Sequence, residues 1–139
     1  MTPQMIADIQ SSWLAALAAP GDITAVFYDR LFATAPQVRP LSRNNLALQR
    51  LKLADTLATV VEELDNFERL RGTVADLGRR HVRYGARPEH YAAVGEALIW
   101  ALERHLGPDF TDDARNAWTE AIRLLVGIMI DATRAAPAR

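Results

Sequence analysis

The apolar residues of this chain recur in steps of three and four, and alternation with period two never lasts. Such spacing stacks apolar side chains on one face of a helix and leaves no stretch suited to a half-buried strand. An all-α domain of six to eight helices with short joints is therefore expected. Thr2-Pro3 opens the first, with Ile6, Ile9, Trp13 and Leu17 inward, and Pro20-Gly21 closes it. Asp22 is placed to cap a second helix reaching Ala35, and Pro36 starts a short irregular turn. A third spans about Asn45 to Leu64, its inward face Gln49, Leu53, Leu57, Val60, Val61 and Leu64. A fourth carries the stripe Phe67, Leu70, Val74, Leu77, His81. After a break at Gly85, Pro88 opens a fifth with Tyr91, Val94, Leu98 and Leu102 inward, stopped by Gly107-Pro108. Thr111-Asp112-Asp113 caps the last, whose stripe is Trp118, Ile122, Leu125 and Met129, and residues 136–139 are expected to fray.

A length of 139 residues fits one domain over 1–139. A net charge of −1 argues against nucleic acid or an acidic membrane as the main partner. With no cysteine, disulfides, zinc-thiolate sites and thiol catalysis are excluded. No basic segment followed by an apolar run opens the chain, and no stretch is apolar enough for membrane insertion. A cytoplasmic protein, monomer or homodimer, is the expectation.

Two polar residues interrupt otherwise apolar stripes. Gln49 lies one turn before Leu53, and His81 closes the fourth stripe at the helix end. One reading of His81 is a core histidine, or a cation at a helix C-terminus. The other is a nitrogen ligand aimed into a space bounded by helices, as a haem iron requires. His90 and His105 read as helix-terminal residues, and Met5 and Met129 as core filler.

Three motifs bear on that choice: Phe27-Tyr28-Asp29-Arg30-Leu31-Phe32, Gln49-Arg50-Leu51-Lys52-Leu53, and His81-Val-Arg-Tyr-Gly-Ala-Arg-Pro-Glu-His-Tyr91 continuing to Glu96. In this order they resemble the globin family, specifically the haem domain of bacterial flavohaemoglobins and their single-domain relatives. The resemblance runs from about Ile23 to Asp131 and implies a globin fold around haem b. It implies His81 as the iron ligand, Tyr28 and Gln49 as the distal pair, and Leu53 and Leu57 as an apolar ceiling. It extends the haem-contacting set to Phe27, Leu77, Arg80, Tyr84, Tyr91, Val94 and Leu98. A tyrosine hydroxyl and a glutamine amide can each donate to a gas that has drawn electron density from iron. Arg79, Arg80 or Arg83 is placed to meet a haem propionate.

Two positions depart from the family pattern, besides Arg80 where the family has lysine. The family pairs the tyrosine matching Tyr91 with an acid of the last helix; here that position is Thr133, and Asp131 lies about half a turn away. Where the family stacks a phenylalanine on the haem, this chain has Ser42.

The resemblance implies a protein that binds oxygen, nitric oxide and carbon monoxide. Converting nitric oxide and oxygen to nitrate, with Tyr28, Gln49 and Tyr91 in the catalytic roles, needs iron to be re-reduced. No GxGxxG is present, so a separate reductase is expected to supply the electrons. Carriage or sensing without catalysis is a second expectation. A haem-free or weakly haem-binding sensor or interaction module is a third.

Overall fold

The computed structural model describes residues 1–41, 45–83 and 87–135. Six α-helices and two short 3₁₀ turns make up the secondary structure of those residues. The helices are α1 (Pro3–Ala18), α2 (Ile23–Thr34), α3 (Leu46–Glu63), α4 (Phe67–Arg83), α5 (Pro88–Leu106) and α6 (Asp112–Ala135). The 3₁₀ turns are Pro36–Leu41 and Gly107–Asp109.

The helix starts are those that local chemistry dictates. Thr2 Oγ1 accepts from the Met5 amide, Asp22 Oδ1 from Thr24, Asn45 Oδ1 from Ala47, and Thr111 Oγ1 from Ala114. Each bond satisfies an amide that the first turn would leave unpaired. Asp112 and Asp113 add negative charge at the positive end of α6. Gly107 ends α5 at φ 57°, a left-handed conformation that a side chain would strain.

The most extensive packing is α4 against α6 and α2 against α5, with α1 laid across α6 and α3 touching α1, α2 and α4. Small residues set the closeness of these layers: Ala97, Ala101 and Ala117 have no exposed surface. Ile9, Leu70, Val74 and Leu102 are the largest fully buried side chains. Trp13 and Trp118 meet in the interior, and the Trp118 indole N–H donates to Ser12 Oγ at 2.8 Å. Ser12 in turn donates to the Asp8 carbonyl, so a polar pair is closed inside the core without an unpaired group.

Two expected core positions face outward. Leu17 is 55 % exposed; the inward line of α1 runs through Ile9, Ser12, Trp13 and Ala16 instead. His105 Nε2 donates to the Ala16 carbonyl from α5, on the buried side of α1. Phe67 is 42 % exposed, at the first position of α4, with the Arg71 guanidinium over its ring. Along α3, burial is complete only at Val60, Val61 and Leu64; Gln49, Leu53 and Leu57 are half-buried. That graded face leaves the first half of α3 without a full cover from the other helices.

Ser12→Ala strands the buried Trp118 N–H, so it is expected to destabilise the fold by about 1–3 kcal/mol. Urea unfolding followed by tryptophan fluorescence measures this, and an unchanged midpoint would show that the pair contributes nothing.

Candidate functional site

Helix α4 is anchored by Leu70 and Val74, each 1 % exposed, and the same register runs on through half-buried Leu77 to His81. The His81 ring is exposed, with Nδ1 2.8 Å from the Leu77 carbonyl oxygen. A carbonyl can only accept, so Nδ1 carries the proton in this bond. In the neutral imidazole Nε2 then keeps its lone pair, which makes His81 a competent metal ligand whose tautomer is held by its own helix.

The position of that helix turn depends on Gly78, three residues earlier. A Cβ on Gly78 would lie 2.8 Å from Met129 Cα and 2.9 Å from both Met129 Cβ and Met129 O. These are backbone contacts that cannot swing aside, so α4 and α6 approach closely only because residue 78 has no side chain. The sequence reading passed over Gly78. Its signal was a glycine inside an otherwise regular helical pattern, which costs about 1 kcal/mol relative to alanine and so usually has a packing reason.

On α2, Ile23, Thr24, Phe27 and Leu31 form the buried face. Tyr28 stands beside it, half-buried between Phe27, whose ring meets it edge-on at 5.0 Å, and Phe32 at 5.6 Å. Burial pushes the Tyr28 phenol above its ordinary value, so at physiological pH it is a neutral donor. Its hydroxyl makes no hydrogen bond among the described residues. Arg50 on α3 reaches Asp22 at the N-cap of α2, at 3.9 Å, and ties the starts of the two helices together. One residue before Arg50, Gln49 Oε1 is buried with no hydrogen-bond partner among the described residues. Arg30 forks onto Glu96, joining α2 to α5.

On α5, Tyr91 and Leu98 are each 8 % exposed and Val94 is half-buried against the same core. The Tyr91 hydroxyl is buried without a partner among the described residues, and burial raises its pKa. The last helix supplies no acid to it: Thr133 donates to the Ile130 carbonyl at 2.7 Å, and Asp131 is exposed. Arg80 is exposed and turned toward Asp76 at 3.5 Å, as is Arg79 at 3.9 Å. His90 Nδ1 accepts from the Arg87 amide, a local turn contact. Tyr84 and Ser42 lie outside the described residues, as do the side chains of Val82 and Arg83.

These residues fit a haem. Unpartnered buried polar atoms are rare in folded proteins, and Gln49 holds one on the half-buried face it shares with Leu53 and Leu57. Together with the Tyr28 hydroxyl it offers polar groups without an internal assignment, while His81 offers a lone pair. Two grooves flank α6, one toward α5 and one toward α4; neither is lined by His81, Tyr28 or Gln49, although Tyr91 borders the first.

The sequence profile of the Globin family matches residues 25–129. A protein described as an uncharacterized globin-like protein from Aquifex aeolicus is 33 % identical over 109 residues, covering 78 % of this chain and 77 % of that one. A flavohemoprotein of Vibrio cholerae is 31 % identical over 113 residues, which is 78 % of this chain and 28 % of that longer protein. Among solved structures, a bacterial globin from Campylobacter jejuni superposes with a TM-score of 0.80 at 26 % identity, covering 96 % of each chain.

Two predictions follow from the geometry. Gly78→Ala is expected to lower stability by about 1–3 kcal/mol through overpacking. Gly72→Ala, in the same helix with nothing within 4 Å of the added carbon, is expected to raise it by roughly 0.5–1 kcal/mol. Chemical unfolding of the pair checks the contrast, and equal effects would mean that the contact with Met129 exerts no force. Burial favours the neutral form of Tyr28 and Tyr91 in the folded state. The stability this carries is intact below the ordinary phenol value of 10.0 and is lost as pH rises through the raised folded values. A Tyr28→Phe/Tyr91→Phe double variant should therefore show a flatter alkaline limb in thermal melts above pH 10 than the parent.

Proposed function

This chain belongs to the globin family, and from that premise we propose that it binds haem b and reversibly takes up oxygen and related diatomic gases. The observation that carries this reading is His81, whose Nδ1–H is committed to the Leu77 carbonyl so that Nε2 is left to bind iron. Haem, when bound, supplies the iron centre at which a gas can be held. The protein supplies the rest. Leu53, Leu57, Leu77, Val94, Leu98 and Phe27 provide apolar surface, and Arg80 lies at the solvent edge for a propionate. The Tyr28 hydroxyl, kept neutral by burial, and the Nε2 amide group of Gln49 would donate hydrogen bonds to the gas. No helix among the described residues is long and apolar enough to cross a membrane.

Nitric oxide dioxygenation with electrons from a separate reductase is the second reading, favoured by likeness to the flavohemoprotein, of whose length this chain spans 28 %. The proximal side argues for the first. A carboxylate bonded to the Tyr91 hydroxyl would strengthen the imidazole as a donor and favour activation of the gas. Here that hydroxyl has no partner among the described residues, and Thr133 is satisfied by its own helix.

Titration of the protein with haemin is expected to saturate at one equivalent with a sharp Soret band, and His81→Ala to abolish or displace the ferrous carbon monoxide spectrum. Loose binding indifferent to His81 would instead point to a haem-free interaction module. Losing one donor, as in Tyr28→Phe or Gln49→Leu, is expected to speed oxygen dissociation roughly tenfold, the kinetic equivalent of one hydrogen bond of about 1–1.5 kcal/mol. Reductase-coupled nitrate production at a rate far above that of free haem would move the assignment to the second reading.

A further inference from the structure

Positive charge in this chain is concentrated on one helix, and that helix carries His81 near its end. Helix α4 holds five arginines against Glu68 and Asp76, whereas each of the other α-helices has at least as many acids as lysines and arginines. With a net charge of −1 over the whole chain, the basic face of α4 stands in a mildly acidic surround. Cations in the last turns of a helix are favoured by the negative end of its dipole, and Arg79 and Arg80 have that reason to be there. Arg69 and Arg71 do not. They lie in the first two turns of α4, where the dipole opposes positive charge. Both are exposed, and neither makes an ion pair among the described residues. Arg79 and Arg80 share the one carboxylate of Asp76, at 3.9 and 3.5 Å, so a positive excess persists along the helix.

Part of this charge borders a depression. Arg71, Arg79 and Arg123 line a groove of about 680 Å³ between α4 and α6, against a single carboxylate, Asp131. The Arg71 guanidinium lies over the Phe67 ring at 5.1 Å, a contact that restrains the side chain without neutralising it. Guanidiniums are fixed forks that match carboxylates, so three on one groove suit an acidic surface. The groove on the other side of α6 differs: its acids Glu96 and Glu103 are already taken by Arg30 and Arg115.

We propose that the outer face of α4, with the groove beside it, docks an acidic one-electron carrier protein that keeps the haem iron ferrous. This rests on the haem reading above and applies whether the gas is carried or transformed, because iron that has lost an electron to the gas is ferric and no longer takes up oxygen. In the returning step the carrier loses one electron and the ferric iron gains it, and no bond is made or broken. The chain's own part is electrostatic. Its net negative charge gives an acidic partner no general attraction, so the arginines of α4 steer that partner to one face and fix its orientation. The Gly78 contact with Met129 holds α4 in place, which keeps a docked carrier in constant register with His81.

An acidic plant-type [2Fe–2S] ferredoxin serves as the probe. Calorimetric titration of the haem-loaded chain with oxidised ferredoxin is expected to show one-to-one binding at about 0.01 M ionic strength that is lost by about 1 M. Arg71→Glu should raise this Kd roughly tenfold and lower the second-order rate constant for reduction by ferredoxin by about the same factor. Arg71→Lys, which keeps the charge, should stay within about twofold of the parent, and so should Lys52→Glu, which makes the same change in net charge on exposed α3. Reduced methyl viologen, a cation, reaches the iron without using this face, and Arg71→Glu should not slow it. No association at low salt overturns the proposal, as does a Lys52→Glu effect equal to that of Arg71→Glu. Equal slowing with both reductants overturns it too, since the substitution would then have disturbed the haem rather than the docking. Failure of haemin to bind sinks the haem reading and the electron-delivery role with it, whereas ferredoxin binding indifferent to Arg71 in a haem-loaded protein sinks the docking face alone.

Discussion

The backbone of α4 rests on the backbone of α6 at Gly78 and Met129, and most of what is distinctive here depends on that contact. Leu70 and Val74 hold the first half of α4 by ordinary burial, which tolerates adjustments of a few tenths of an ångström. At Gly78 no such tolerance exists, because main-chain atoms meet on one side. The turn bearing Leu77 and His81 emerges directly from this fixed point. A ligand on a helix end would ordinarily inherit the looseness of a fraying terminus. Here the terminus begins one turn from a rigid contact, and the imidazole is further restrained by the carbonyl of Leu77.

Polar groups are distributed to the same purpose. The outer surfaces of the helices are joined by charged pairs: Arg30 with Glu96 between α2 and α5, Arg50 with Asp22 between α3 and α2. Such exposed pairs contribute only about 0–1 kcal/mol each, so their value is orientation rather than stability. Inside, Trp118 and Ser12 are closed on one another, whereas among the described residues Gln49 Oε1, Glu63 Oε2 and the Tyr91 hydroxyl have no partner. The first class serves the fold. The second costs the fold, since an unpaired buried polar atom weakens a protein that does not use it.

Much of this was legible in the residues before any coordinates. Thr2, Asp22, Asn45 and Thr111 announce helix starts through side-chain oxygens, and Pro88 and Gly107-Pro108 bracket α5 without ambiguity. The isolation of Gln49 and His81 on apolar stripes marked them as well. What periodicity could not supply was depth. Leu17 and Ala16 are neighbours, and only the packing of α1 on α6 and α5 decides which of them is inside. Phe67 is apolar and in register with Leu70, yet it sits before the stretch that α6 covers. Locally Gly78 is only a poor helix former, because its role lies wholly in its contact with a neighbouring helix. Long-range approach of this kind leaves no trace in local spacing.

The bond between His81 Nδ1 and the Leu77 carbonyl has one more implication. Because the helix itself selects the tautomer, the metal-binding role proposed for His81 needs no particular side chain elsewhere for support. The strength of its electron donation is a separate matter, governed by whatever meets the ring and Tyr91 from α5 and α6. Capacity and tuning are therefore encoded by different parts of the chain, and changes at positions such as 133 can accumulate without endangering the ligand. A scaffold divided in this way can drift between carrying a gas and transforming it in small heritable steps, each of which leaves a folded, ligand-competent protein.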